Sequence, residues 1–185
     1  MTDHYVNIEI YEDLEFNTQI ILNALYAKLH KELVNLKGNI GVSFPNYKKT
    51  LGDNLRLHGN EKELLQLMEN KWYGNLHSYI NVSKILKVPE NVNYRVVSRI
   101  QSKSSLERLY RRSLRNGKKS IAETEVLLAR TLEEKFLKHP FIEMKSSSTQ
   151  QKFKLFIHHQ EIKKEPSLGT FSCYGLSQTG TIPWF

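Results

Sequence analysis

Arg108, Arg111, Arg112 and Arg115 stand at i, i+3, i+4 and i+7 within residues 104–117, the spacing that lines four side chains along one helical face. Ser104 with Glu107 makes a capping box that starts such a helix, and Asn116-Gly117 tolerates the left-handed turn that ends it. Like charges at these spacings repel, so the stripe weakens an isolated helix unless an anion neutralises it. Guanidinium groups are planar and permanently charged, and they suit phosphate oxygens and guanine edges. A merely solvated cationic face is the competing explanation. Against it, Arg99 and Lys103 upstream and Lys118 and Lys119 downstream continue the charge, with only Glu107 opposing them. The implied chemistry is the gripping of a polyanion.

Bond-breaking chemistry has fewer candidates. Of the seven histidines, His30 lies at the edge of an apolar stripe, where a histidine is more often a packing residue than a catalyst. His158-His159 invites a metal reading, but adjacent strand residues point to opposite faces, so chelation by both is disfavoured. No Glu-x-x-His or paired aspartate stands at ligand spacing. A metal-dependent nuclease is poorly supported, and neither metal nor cofactor is expected.

The elements that must position these groups are those of an ordinary domain protein. With 185 residues the chain can form one large domain or two small ones. A mean hydropathy of −0.49 and the lack of any run near the ~20 apolar residues of a membrane span argue for a water-soluble chain. The N-terminus lacks a secretory pattern, which suggests a cytoplasmic site of action. Cys173 is the sole cysteine, so no disulfide can form within the chain. Alternation in residues 170–174 assigns it to a buried strand face beside Phe171. The charge is uneven: residues 1–92 carry 10 Lys+Arg against 11 Asp+Glu, and residues 93–185 carry 17 against 8. A neutral first half joined to a basic second half describes a scaffold carrying a polyanion site.

In order, the pattern predicts a strand over 5–11 and a helix capped by Asn17 to about Leu36, with the stripe Leu22, Leu25, Leu29, Leu33 and Leu36. Strands follow over 40–44 and 51–58, then a helix from Asn60 through Met68 and an extended segment over 79–88. The order is that of a ferredoxin-like (RRM-like) βαββαβ unit. The fold class is therefore α+β: a ferredoxin-like domain over 1–90, a short polar linker, and a smaller α+β RNA-binding domain over 93–185 carrying the arginine-rich helix. In that second part a strand over 94–101 projects Arg99 and Gln101 side by side, and arginine to guanine and glutamine to adenine are the standard base-edge pairings. Ser120 with Glu123 starts a further helix to about Lys135. Residues 141–145 and 152–157 form a hairpin around a polar loop, 161–169 a loop, 170–174 a final strand and 175–180 a flexible turn. The apolar end at Ile182-Pro183-Trp184-Phe185 is expected to pack.

Taken together these residues resemble the type I-F CRISPR repeat-processing endoribonuclease. The resemblance rests on Asp3-His4-Tyr5, Lys28-Leu29-His30, Ile40-Gly41-Val42-Ser43-Phe44-Pro45, Arg99-Ile100-Gln101, the arginine helix, Ser148-Thr149 with Phe153-Lys154-Leu155-Phe156-Ile157, and Cys173-Tyr174-Gly175-Leu176-Ser177 with Pro183-Trp184-Phe185. It implies that His30 is the catalytic histidine, that Ser146 holds the ribose with the attacking 2′-hydroxyl, and that Tyr174 orients His30. Ser148 and Thr149 would support the same pocket, and Phe153 would stack on the base beside the cut. Arg99 and Gln101 would read the closing pairs of the stem, and the arginine helix would lie along its major groove. The implied partners are the CRISPR repeat RNA hairpin and the other Cas subunits of a type I-F effector complex. Two positions depart from the pattern: Asn116-Gly117 ends the arginine helix early, leaving Lys118 and Lys119 on a loop, and Gln150 stands where a glycine is familiar.

Such a reaction is chemically economical. RNA carries its own nucleophile, so an enzyme need only move a proton at the 2′-hydroxyl and align it with the neighbouring phosphate, which a histidine can do without metal. Spacing leaves open whether His30 is base or acid. It also leaves two alternatives standing: a non-catalytic RNA-hairpin-binding subunit, and a generic basic protein of the ribosomal type.

Overall fold

Residues 4–10 alternate between apolar and polar, and that alternation builds the first sheet. The computed structural model describes residues 2–36, 39–100, 139–146 and 149–185. Strand β1 (His4–Ile10) buries Val6, Ile8 and Ile10 on one face and turns Tyr5 to the other. Helix α1 (Thr18–Asn35) begins where Asn17 accepts a hydrogen bond from the Ile20 amide, and it buries Leu22, Leu25, Leu29 and Leu33 as the stripe predicts. Each such leucine contributes about 1.5–3 kcal/mol. Ile21 and Tyr26 join them.

Strands β2 (Gly41–Ser43) and β3 (Asn54–Gly59) lead to helix α2 (Glu61–Glu69), whose cap Asn60 accepts from the Glu63 amide. A 3₁₀ turn over Gly74–Tyr79 precedes β4 (Ile80–Val82) and β5 (Leu86–Lys87). The antiparallel order β2-β3-β1-β4, with β5 also on β1, is the ferredoxin-like arrangement. Both helices pack on β1, and α1 reaches further to the second sheet.

That second sheet holds β6 (Asn93–Ile100), β7 (Phe141–Lys145), β8 (Lys152–Lys163) and β9 (Ile182–Trp184), antiparallel in the order β7-β8-β6-β9. The class is α+β, and one continuous core joins Leu25, Leu29 and Val42 to Ile142, Leu155, Ile157 and Ile182. The C-terminus packs as expected: β9 pairs with β6, and Phe185 lies edge-on to Tyr5 at 4.9 Å. Arg56 covers the Phe185 ring at 4.1 Å and donates from Nη1 to its carbonyl at 2.8 Å.

Three expected strands differ. The one over 51–58 starts only at Asn54, because Gly52 takes a φ of 77° and sits where a Cβ would meet the Asn46 carbonyl oxygen at 2.5 Å. The segment over 79–88 is split at Ser83, whose hydroxyl accepts from the Asn7 amide and donates to the Lys84 carbonyl, taking the ladder's place. Residues 170–174 form no strand. Residues 173–175 turn instead, and Cys173 is exposed rather than buried beside Phe171. Strand β8 also runs to Lys163, through part of the loop expected over 161–169. The arginine helix and the helix expected over 120–135 lie outside the described residues. So do Gln101, Lys103, Arg108, Arg111, Arg112, Arg115, Lys118, Lys119 and Ser148. Among the described residues no helix is long and apolar enough to cross a membrane.

Candidate active site and nucleic-acid interface

Leucines at positions 25, 29 and 33 anchor α1 in the core, which leaves position 30 at the rim of the buried stripe. His30 is half-buried there, and its ring lies flat on that of Tyr174, with centroids 4.3 Å apart and planes 3° apart. The His30 Nδ1 is 2.8 Å from the Cys173 carbonyl oxygen. A carbonyl only accepts, so Nδ1 carries a proton, and whenever the ring is neutral its lone pair is on Nε2. One turn earlier on the same helix, the buried Tyr26 hydroxyl donates to the Tyr174 carbonyl at 2.6 Å.

The turn that supplies both carbonyls is held on every side. Gly175 takes a φ of 68°, and a Cβ there would meet Val42 Cγ2 at 2.2 Å. The Val42 amide donates to the Gly175 carbonyl, the Ser172 amide to Leu176 and the Ser177 amide to Val97. The turn is therefore pinned to β2 and β6, which belong to different sheets.

Arg99 on β6 brings the other expected residues in. Its guanidinium carbon lies 5.3 Å from the Tyr174 ring centre and 5.8 Å from that of Phe153, within the range of cation–π attraction. Its backbone carbonyl accepts from the Gln178 side chain. His30, Tyr174, Arg99 and Phe153 thus form one chain of contacts from α1 to the β7–β8 hairpin.

The serine loop stands at the end of that hairpin. The Ser146 amide donates to the Gln151 carbonyl, the Ser146 carbonyl accepts from the Gln150 amide, and Ser146 Oγ accepts from the Thr149 amide. Gln150 takes a φ of 58°, the left-handed conformation that a glycine adopts without steric cost. Helix α1 runs parallel to β7: Gln19 donates to the Phe141 carbonyl, and Asn23 accepts from the Glu143 amide. Four helix residues rise about 6 Å and two strand residues about 6.6 Å, so the two elements keep step.

The family model described as CRISPR-associated protein (Cas_Csy4) matches residues 5–185. The chain belongs to that family. Two full-length relatives are CRISPR-associated endonucleases Cas6/Csy4: one from Escherichia coli (strain UTI89 / UPEC), 45% identical over 99% of this chain and all of its own length, and one from Pseudomonas aeruginosa (strain UCBPP-PA14), 38% identical over 99% and all of its length. Within this family member, sequence reasoning missed two contributors to the site. Cys173 was assigned to packing, yet its carbonyl fixes the His30 tautomer. Tyr26 has no role in the sequence reading. Its signal was the four-residue spacing from His30, which puts both side chains on one helical face.

Proposed function

We propose that this chain is an endonuclease that processes precursor CRISPR RNA, cutting without a metal ion at the 3′ base of the repeat stem-loop and keeping the product as a subunit of a type I-F surveillance complex. The observation that carries the reading is the flat His30–Tyr174 stack with His30 Nδ1 bound to the Cys173 carbonyl. It leaves Nε2 as the nitrogen that exchanges a proton with the substrate, and in the neutral ring Nε2 serves as the general base.

In this reading Nε2 takes the proton of a ribose 2′-hydroxyl, and the oxygen attacks the adjacent phosphorus. The P–O5′ bond breaks, and the leaving oxygen takes a proton from solvent. The products are a 2′,3′-cyclic phosphate and a 5′-hydroxyl. Ser146, Ser148 and Thr149 hold the ribose, Phe153 stacks on the base beside the cut, and Arg99 with Gln101 reads the closing pairs. Arg108, Arg111, Arg112 and Arg115, with Lys103, Lys118 and Lys119, bind the stem phosphates. Transcripts of this kind are made in the bacterial cytoplasm, and the reading puts the chain there.

One assay tests it. Purified protein is incubated with a repeat hairpin in EDTA, and the upstream fragment is analysed for a cyclic phosphate. Cleavage that persists in EDTA and is abolished in His30→Ala, with hairpin affinity unchanged, is the expected result. Uncut RNA with tight binding would instead identify a non-catalytic hairpin binder.

A further inference from the structure

Helix α1 makes two hydrogen bonds to one turn, and only one of them involves the histidine. Tyr26 and His30 are four residues apart, so their side chains leave the same helical face one turn apart. They engage successive peptide carbonyls: His30 Nδ1 that of Cys173 at 2.8 Å, and the Tyr26 hydroxyl that of Tyr174 at 2.6 Å. Between those carbonyls lies the Tyr174 Cα, the root of the ring that covers the imidazole. Two anchors on consecutive peptide planes fix the direction in which that side chain leaves the backbone. Without the Tyr26 anchor the Tyr174 carbonyl would be held only indirectly, through the backbone bonds of Gly175 and Ser177 that pin the turn.

We infer that Tyr26 is a positioning residue for His30: its buried hydroxyl, by holding the Tyr174 carbonyl, sets the Cys173 carbonyl and the Tyr174 ring where together they lock His30 in its Nδ1–H tautomer and its orientation. The inference rests on the catalytic reading of His30 for its effect on rate, but not for its effect on the ring itself. Burial also raises the Tyr26 phenol far above its ordinary pKa, so it remains a neutral donor. Its ring meets Phe44 with centroids 6.1 Å apart, and a phenylalanine keeps that packing while deleting the donor. The Tyr174 carbonyl would then lose its buried partner, and the turn would have to shift or admit water to satisfy it.

The test compares wild type, Tyr26→Phe and His30→Ala. Nitrogen-15 NMR of the His30 ring reports the tautomer, single-turnover cleavage at saturating hairpin reports the rate against pH, and filter binding reports affinity. Tyr26→Phe is expected to raise the Nε2–H share of the neutral ring and to move the pH–rate profile. It should slow cleavage about tenfold, in line with misplacement of about an ångström costing up to about a hundredfold, with hairpin affinity held within about twofold. An unchanged His30 tautomer in the folded variant would overturn the inference, even if the rate fell, since a purely structural loss moves stability and leaves the ring's protonation site alone. His30→Ala separates the two claims. If it cleaves like wild type the catalytic reading of His30 fails, and the tautomer measurement by itself still decides the role of Tyr26.

Discussion

Two histidines lie flat on a tyrosine among the described residues, and their surroundings differ. His30 stacks on Tyr174 at 4.3 Å, half-buried, with one nitrogen held by a carbonyl. His159 stacks on Tyr47 even closer, at 3.7 Å and 10°. It is 7% exposed, walled by Phe44 and Trp184, and neither ring nitrogen meets a hydrogen-bond partner among the described residues. Burial first, and the nearby Arg95 and His158 next, push its pKa down from 6.5 to about 3. The aromatic stack is common to both, so stacking does not make a site. The difference lies in the hydrogen bond that fixes a tautomer and in access to the other nitrogen. His30 has the first and sits at the rim, whereas His159 is a neutral ring used as packing.

The largest test of this contrast is a pair of substitutions read in one cleavage assay. His30→Ala is expected to slow the reaction by about 10²- to 10⁴-fold, the usual contribution of a general acid or base, while His159→Phe leaves the rate within about twofold. A rate loss in His159→Phe comparable with that of His30→Ala would erase the distinction. Next in size is Gly175→Ala. The positive φ and the 2.2 Å approach to Val42 should cost about 2–4 kcal/mol in chemical denaturation through strain and overpacking, with cleavage falling because the His30 turn shifts.

A pH titration of stability probes the other side of the contrast. His58, fully buried and 2.8 Å from the Ser43 hydroxyl, shares the low pKa of His159, also about 3 and chiefly from burial. A histidine whose folded pKa lies below its unfolded value of 6.5 binds more protons when unfolded. Its stabilising contribution is therefore full above about pH 6.5 and is lost as pH falls toward 3, by about 1.4 kcal/mol per pH unit for each ring. Urea melts between pH 7 and 4 check this, and His159→Phe should flatten part of the slope. At neutral pH the same variant should raise stability by about 1 kcal/mol, because it removes nitrogens that are buried without a partner. The smallest effect concerns the basic half: Arg112→Ala should lower the slope of log affinity against log salt by about one unit, and an unchanged slope would put that side chain in solvent.

Much of the scaffold was legible in order along the chain. Asn17 and Asn60 announced two helix starts, the leucine stripe announced the face that α1 buries, and the run of strands and helices announced the ferredoxin-like sheet. The strand over 170–174 was misread for a physical reason: Thr-Phe-Ser-Cys-Tyr alternates like a half-buried strand, but the positive φ of Gly175 and its amide's bond to the Ser172 carbonyl close a turn there. The strand over 79–88 failed because the Ser83 side chain competes with the ladder. At the site, His30, Tyr174, Arg99 and Phe153 were named from the sequence, through the family resemblance for their roles. The Cys173 carbonyl was invisible because a backbone atom leaves no mark in residue identity.

What the sequence determined by itself, then, was whatever neighbours within a few residues decide: caps, helical faces, strand alternation and the placing of charge in the second half. Only the tertiary structure decided that residue 30 meets residue 173, a pair separated by 143 positions. Closing so long a loop costs entropy that no local pattern can offset, and it is the shared core of the two sheets, pressing α1 against β7 and the last turn against Val42, that brings the imidazole to its carbonyl.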